Sequence, residues 1–282
     1  MAIHNSIFLF GRVHGQPLIS YNETKEEIVK VVIALSVISN RERTFNLENK
    51  NSVTTILLIS QNKEIMKKMT ELENNDVIQV KGTLTTRNYT KRSVCEKCGT
   101  INVKEGIMSF VNPIYLNVIK TKNSREEAMN LVRKNFEVSN IATIIGTLCR
   151  EPELHKSEDG EITTQYQLAI DRKYRIKEDH PLIRTDYPWV KSYGSNAEMD
   201  HICLETGSCV FIDGLLRSRQ FQRRTICDNE ECKEEYSWTD RSLEIIPYST
   251  EYLKNFMTPE EREAEKKKEL RRAVSELLSD ED

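Results

Sequence analysis

Residues 82–95 read GTLTTRNYTKRSVC and residues 214–227 read GLLRSRQFQRRTIC. Laid together without a gap they share Gly-x-Leu-x-x-Arg-x-aromatic-x-basic-Arg-x-aliphatic-Cys. Arg87 thus matches Arg219, Tyr89 matches Phe221, Lys91 matches Arg223 and Arg92 matches Arg224. Side chains alternate between faces along a strand, so a strand reading puts Arg87, Tyr89 and Lys91 on one face. It does the same for Arg219, Phe221 and Arg223. A cation, a flat ring and a second cation on an open sheet face suit a single-stranded nucleic acid, which needs a charge for each phosphate and a surface for each base.

The agreement extends past the stretch itself. Gly82 to Cys95 and Gly214 to Cys227 are both thirteen residues apart, and Cys98 to Pro113 and Cys232 to Pro247 are both fifteen. Further upstream, Gly146 answers Gly11 and Pro152 answers Pro17. These landmarks imply an internal duplication. Each half reads as strands with a short helix between the third and fourth. In the first half the strands include Ile28–Ser39 and 53–60, and the helix is Lys63–Glu73; in the second they include WVKSYG, with AEMDHICLETG as the helix. Five strands arranged in this way describe a small Greek-key barrel, the oligonucleotide/oligosaccharide-binding (OB) fold. The expected fold is therefore dominated by β-structure: two tandem OB-fold barrels, a linker helix and a C-terminal helix. The expected domains are 1–122, the linker 123–138, 139–256, and the tail 257–282. Ser124 and Glu127 form a capping-box signature at the linker helix. Thr258 with Pro259 marks the start of the C-terminal helix.

With 282 residues, each half is long enough to bury a core of its own. Net charge is −3, but from residue 258 onward there are nine acids and six bases, which leaves 35 of each in the body. Binding a polyanion then rests on local clusters such as Arg217, Arg219, Arg223 and Arg224, which span eight residues without an acid. No run approaches the roughly 20 apolar residues of a membrane span. The N-terminal MAIHNSIFLFGRV lacks the pattern of a secretory signal, so the cytoplasm is expected.

The seven cysteines divide by setting. Cys149, Cys203 and Cys209 stand singly in apolar surroundings and read as small buried hydrophobes. Cys95 with Cys98, and Cys227 with Cys232, are close pairs on polar ground where the hairpin between the fourth and fifth strands turns. Pairs of this kind in a reducing compartment favour zinc over a disulfide. CEKCG has the spacing of a zinc knuckle and CDNEEC a looser one, and each supplies half of a four-cysteine site. The reading preferred here closes all four around one structural zinc. Its rivals are two sites completed by histidine, a site shared between chains, and metal-free thiols. No phosphate loop, zinc-protease helix or nucleophile motif is present. The acids of SEDGE, Ser157–Glu161, suit a solvated turn. The chain reads as a binding protein and not as an enzyme.

The second half resembles the bacterial single-stranded DNA-binding protein family through IIGTLCREPEL, TTQYQLAIDRKY, TDYPWVKSYGSNAE and VFIDGLLRSR. The first half resembles it through VIQVKGTLTTRNY. The resemblance implies binding of single-stranded DNA with little sequence preference, in replication, repair or recombination. It adds Arg172, Tyr174 and Tyr193 to the candidate contacts, Tyr193 as the aromatic at the end of the third strand, where the first half offers Ser60. Trp189 and Trp238 are not oriented by the sequence. Family members usually carry one barrel and assemble as tetramers, so two barrels imply a homodimer or a self-contained pair. The acidic end SELLSDED lacks the family's aromatic tip but is a candidate contact for replication or repair proteins. The alternatives are single-stranded RNA as the ligand, or a zinc-braced interaction scaffold of the replication machinery.

Overall fold

A computed structural model describes residues 4–39, 52–172, 185–265, 267, 268 and 271. The strands of the first half are β1 (His4–Tyr21), β2 (Ile28–Ile38), β3 (Val53–Ser60), β4 (Val77–Val94) and β5 (Ile101–Lys120), with α1 (Lys63–Thr70) between β3 and β4. The second half has β6 (Asn140–Leu148), β7 (Glu153–Lys156), β8 (Ile162–Asp171), β9 (Thr185–Asp186), β10 (Trp189–Tyr193), β11 (Cys209–Ile226) and β12 (Glu235–Lys254). Its helix, α3 (Gly194–Cys203), lies between β10 and β11, and α2 (Arg125–Lys134) links the halves. The strand order β1-β2-β3-β5-β4 returns to β1, and β6-β11-β12-β10-β8 returns to β6, so each half closes a five-stranded barrel. Alternating apolar residues fill each barrel, with Leu35, Ile56 and Val80 in the first and Tyr166, Leu168 and Ile212 in the second. The capping box of α2 forms through Ser124 and Glu127, and Thr258 makes the same reciprocal pair with Glu261.

The halves differ where their sequences do. The opening run, read as broken near Gly15 to Pro17, is one long strand with a register shift between His14 and Leu18. Its counterpart in the second half is split into β6 and β7 by the turn that contains Pro152. Cys149 lies in that turn and is exposed, not buried as expected, because it follows Leu148, the last inward side chain of β6.

The barrels are joined by backbone pairing. β1 and β6 are antiparallel, from His4 with Ile145 to Leu9 with Asn140. On the offset that relates Gly11 to Gly146, Ile7 is the counterpart of Ala142, and these two residues are themselves paired. Counterparts that pair with each other lie about a local twofold axis, which therefore passes through this ladder.

Two devices appear once per barrel. β4 leaves β1 after the pair Ile7 with Gly82; just beyond, the buried Asn5 amide donates to Leu84 O at 2.9 Å and accepts from Leu84 N at 2.8 Å. Its counterpart Asn140 donates to Leu216 O at 2.7 Å and accepts from Leu216 N at 3.0 Å. Each side chain takes the place of a strand edge where the ladder ends, so buried backbone groups stay paired. The repeated glycines also have a steric cause. A Cβ on Gly82 would lie 2.5 Å from Asn112 O, and one on Gly214 would lie 2.3 Å from Ile246 O, at bulges opposite Pro113 and Pro247.

Asn140→Ala is expected to lower unfolding stability by roughly 2–4 kcal/mol in a urea titration, because two buried backbone groups lose their partners at about 1–3 kcal/mol each. Asn5→Ala should do the same, and a loss below about 0.5 kcal/mol in both would show that the clamps contribute nothing.

Candidate nucleic-acid interface and cysteine cluster

Past Gly82 and Gly214, β4–β5 and β11–β12 continue as two long antiparallel hairpins in matching register. Tyr89 pairs with Gly106 and Phe221 with Asp240, while Lys91 pairs with Lys104 and Arg223 with Trp238. Alternation puts Arg87, Tyr89 and Lys91 on one face, and Arg219, Phe221 and Arg223 on one face, as the sequence implied. Those faces are not open, however. The twofold axis turns them toward each other, so part of each is spent on the other hairpin. The Tyr89 hydroxyl donates to Asp240 at 2.7 Å, and Asp240 also pairs with Arg223 at 2.9 Å. Burial and this hydrogen bond raise the Tyr89 pKa. Lys91 Nζ lies 4.9 Å from the centre of the Trp238 ring, which stacks on Tyr236 at 5.9 Å. Phe221 sits between Arg219 and Arg223, whose guanidinium carbons are 5.8 and 5.5 Å from its ring centre. Arg87 reaches over Phe110 at 5.9 Å and toward Gln61 Oε1 at 3.5 Å. Arg92 and Arg224 are exposed on the opposite faces of their hairpins.

Each hairpin also touches the other barrel near its base. Thr86 N donates to Asp186 Oδ1 at 2.6 Å, and its counterpart Ser218 N donates to Thr54 Oγ1 at 2.9 Å. Asp186 explains a correction. Arg172, expected to meet nucleic acid, is buried and grips both Asp186 oxygens, with Nη2 to Oδ1 at 2.8 Å. Burial pushes the Asp186 carboxyl up, against the pull of Arg172. A guanidinium in a bidentate pair within the protein has no free fork for a phosphate. Tyr174 lies outside the described residues.

The open aromatic face is on β10. Trp189, Lys191 and Tyr193 point outward, alternating with buried Val190 and Ser192. Arg150 lies over Trp189 at 4.9 Å, and Lys191 and Arg217 flank Tyr193 at 5.5 and 5.9 Å. Burial raises the Tyr193 pKa while Arg217 opposes it. Beneath them, buried Glu244 accepts from Ser242 Oγ at 2.9 Å and holds Arg219 at 3.5 Å. Lys191 and Arg150 are not singled out by the sequence reading, and Trp189 is left unoriented by it. The signal was present as the alternation Trp-x-Lys-x-Tyr, obscured by Pro188 immediately before it.

At the hairpin ends the four cysteines meet. The sulfurs of Cys95, Cys98, Cys227 and Cys232 all lie within 4.8 Å of one another, with Cys95 to Cys232 at 3.8 Å and Cys98 to Cys227 at 3.6 Å. Four sulfurs about 2.3 Å from a tetrahedral zinc are separated by about 3.8 Å, so the donor set fits that ion. Both turns use a left-handed residue after the second cysteine, Gly99 in one and Lys233 in the other. Hydrogen bonds from Thr100 lower Cys98 to about 6. Cys232 rises to about 12, since the backbone hydrogen bond from Glu234, which lowers it, is outweighed by burial and the neighbouring thiols. Four thiols this close resist carrying four negative charges alone, and a dication removes that penalty. Around them Asp228 accepts from Val103 N at 3.1 Å and pairs with Lys104, and Lys97 meets Glu234 at 3.0 Å.

Residues 139–236 match the model of the single-strand binding protein family. The single-stranded DNA-binding protein of Staphylococcus epidermidis is 27% identical over 126 residues, 45% of this chain and 88% of that one. The second barrel is thus similar to this family over its matched segment. Family proteins bearing the same name in Thermotoga maritima and Neisseria meningitidis serogroup A are 29% and 26% identical over 82 and 83 residues. The Neisseria match spans 48% of that protein, about half its length. Crystal structures of the single-stranded DNA binding protein from Thermus aquaticus share the fold through both barrels. A deletion mutant gives a TM-score of 0.55 at 16% identity over 92% of this chain and 98% of that one, and the wild type gives 0.54 at 15% over 91% and 97%. The first barrel, outside the matched family segment, departs from the second at the aromatic face. The parallel pair Leu58 with Val111 corresponds to Val190 with Ile245, each ending two residues before its proline. By that register the counterparts of Trp189, Lys191 and Tyr193 are Leu57, Ile59 and Gln61. The residue opposite Tyr193 is therefore Gln61 and not Ser60, which is buried.

Tyr89→Phe should lower stability by about 1 kcal/mol in thermal or urea unfolding through loss of the hydrogen bond to Asp240. An unchanged midpoint would mean that this contact does not hold the hairpins together.

Proposed function

We infer that this chain binds single-stranded DNA without strong sequence preference and catalyses nothing. The observation that carries the reading is the outward face of β10, with two rings and a cation in alternation, flanked by Arg150, Arg217 and Arg219. Bases stack on Trp189 and Tyr193, and the cations neutralise phosphates. Arg87, Lys91, Arg92, Phe221, Arg223 and Arg224 continue the basic surface along the hairpins, and Tyr89 orders it from within. The names of the relatives support DNA as the ligand, and replication, repair or recombination is the setting that goes with this reading. The working domains are 1–122 and 139–256, with the linker 123–138 and the tail 257–282, which is left as a contact for partner proteins.

Four thiolate donors at tetrahedral spacing favour zinc over harder cations. The ion would brace the hairpin ends through Cys95 and Cys98 from one and Cys227 and Cys232 from the other. Reduced thiols in this role suit the cytoplasm, and no helix among the described residues is long and apolar enough to cross a membrane.

Fluorescent oligo-dT titrations should show tight binding at low salt. Trp189→Ala should weaken it by about tenfold, within the roughly 1–3 kcal/mol of one stacked base. Arg219→Ala should reduce the salt slope by about 0.7, one phosphate contact on a single strand. Failure to bind at low salt would end this reading, and tighter binding to the matching RNA would change its ligand.

Metal analysis should give one zinc per chain, and replacing Cys98 and Cys232 with serine should abolish it. A ratio near two would reject the shared site.

A further inference from the structure

At the positions of Trp189 and Tyr193 the first barrel has Leu57 and Gln61 in place of rings, and an opening lies there instead. Leu57, the counterpart of Trp189, lines a cavity of about 230 Å³ with Thr55, Tyr89, Met108, Asp240 and Leu243. Its lining is mostly apolar and comes from β3, β4 and β5 of the first half and from β11 and β12 of the second. Ser109, Ser218 and Arg241 complete the lining. The volume falls below the roughly 300–1,000 Å³ of pockets that hold drug-sized ligands, so the cavity suits one small ring system. Apolar walls with a few hydroxyls among them are what an unstacked base meets when it leaves its neighbours for a protein pocket. Arg241 in the lining is a cation for the phosphate that such a base would carry in with it.

The polar groups also define what the cavity can discriminate. Both Asp240 oxygens already have partners: Oδ2 takes the Tyr89 hydroxyl and Arg223, and Oδ1 takes Arg241 N at 2.9 Å. These partners take about three of the four acceptor sites of the carboxylate, which leaves one on Oδ1 for an amino-bearing base. The hydroxyls of Ser109 and Ser218 can each donate or accept, so they accommodate any base.

We propose that this cavity seats one nucleobase of the bound strand, so that the second barrel holds bases by stacking on exposed rings and the first holds one by insertion. Leu57 is the residue that makes the difference, since a tryptophan at that position would occupy the space. The proposal rests on the single-strand reading above, and its test separates the two.

Oligo-dT carrying 5-iododeoxyuridine at single positions is bound to the full chain, irradiated, and the adducts are mapped by mass spectrometry. The expected result is an adduct on Tyr89 in addition to adducts on Trp189 or Tyr193. In Leu57→Trp the Tyr89 adduct should fall at least fivefold while those on β10 persist. If Leu57→Trp does not fold, Ser109→Phe in the lining should give the same selective loss. Adducts on β10 with none on Tyr89 in the unaltered chain would overturn the base seat and leave the single-strand reading intact. A Tyr89 adduct unaffected by the folded filling variant would also overturn it, and the absence of any adduct or binding would overturn both.

Discussion

Everything beyond the individual barrels follows from the pairing of β1 with β6. It is a run of six residue pairs, and the axis passes through it where Ile7 meets its counterpart Ala142. A ladder of backbone hydrogen bonds fixes both the distance and the angle between its strands, so the second barrel is placed relative to the first almost without choice. Once that axis is set, the two hairpins must leave their barrels on the same side and present like faces to each other. The contacts Tyr89 to Asp240 and Lys91 to Trp238, and the meeting of two cysteine pairs, are consequences of that placement.

The asparagine clamps show how the placement is maintained where the ladders run out. A strand that departs from its neighbour exposes unpaired N–H and C=O groups, and in a protein interior these are expensive to leave unsatisfied. Asn5 and Asn140 supply a peptide-like amide at the point of departure. β4 and β11 can then bend away past Gly82 and Gly214, the residues whose missing side chains allow the bulge.

Much of this was legible in the sequence because a duplication leaves spacings that can be counted. The two barrels, the capping box at Ser124, the N-cap at Thr258, the short helices and the cluster of four cysteines all rest on such local patterns. What could not be read was which surface a face would meet. Alternation assigns Arg87, Tyr89 and Lys91 to one side of a strand but says nothing of the hairpin that lies opposite. Arg172 looked like a surface cation because its partner Asp186 is 14 residues away, across a segment without a periodic pattern. The clamps escaped notice for the same reason: an asparagine inside a strand gives no sign of the backbone 79 or 76 residues away that it holds. Ser60 was aligned by strand end, whereas the parallel pairing with β5 shifts the match by one residue to Gln61.

The cysteine cluster has a bearing on how the two halves can change. A chain with one copy of the repeat carries two thiols, and it completes the set of four only by meeting a second copy of itself in an isologous pair. In such a dimer every substitution appears twice, so replacing a stacking ring would remove both rings at once. Joining the copies in a single polypeptide makes the four-thiol site independent of protein concentration and uncouples the two faces. Leucine at position 57 can then coexist with tryptophan at position 189, and a protein built on a twofold axis is free to be unequal on its two sides.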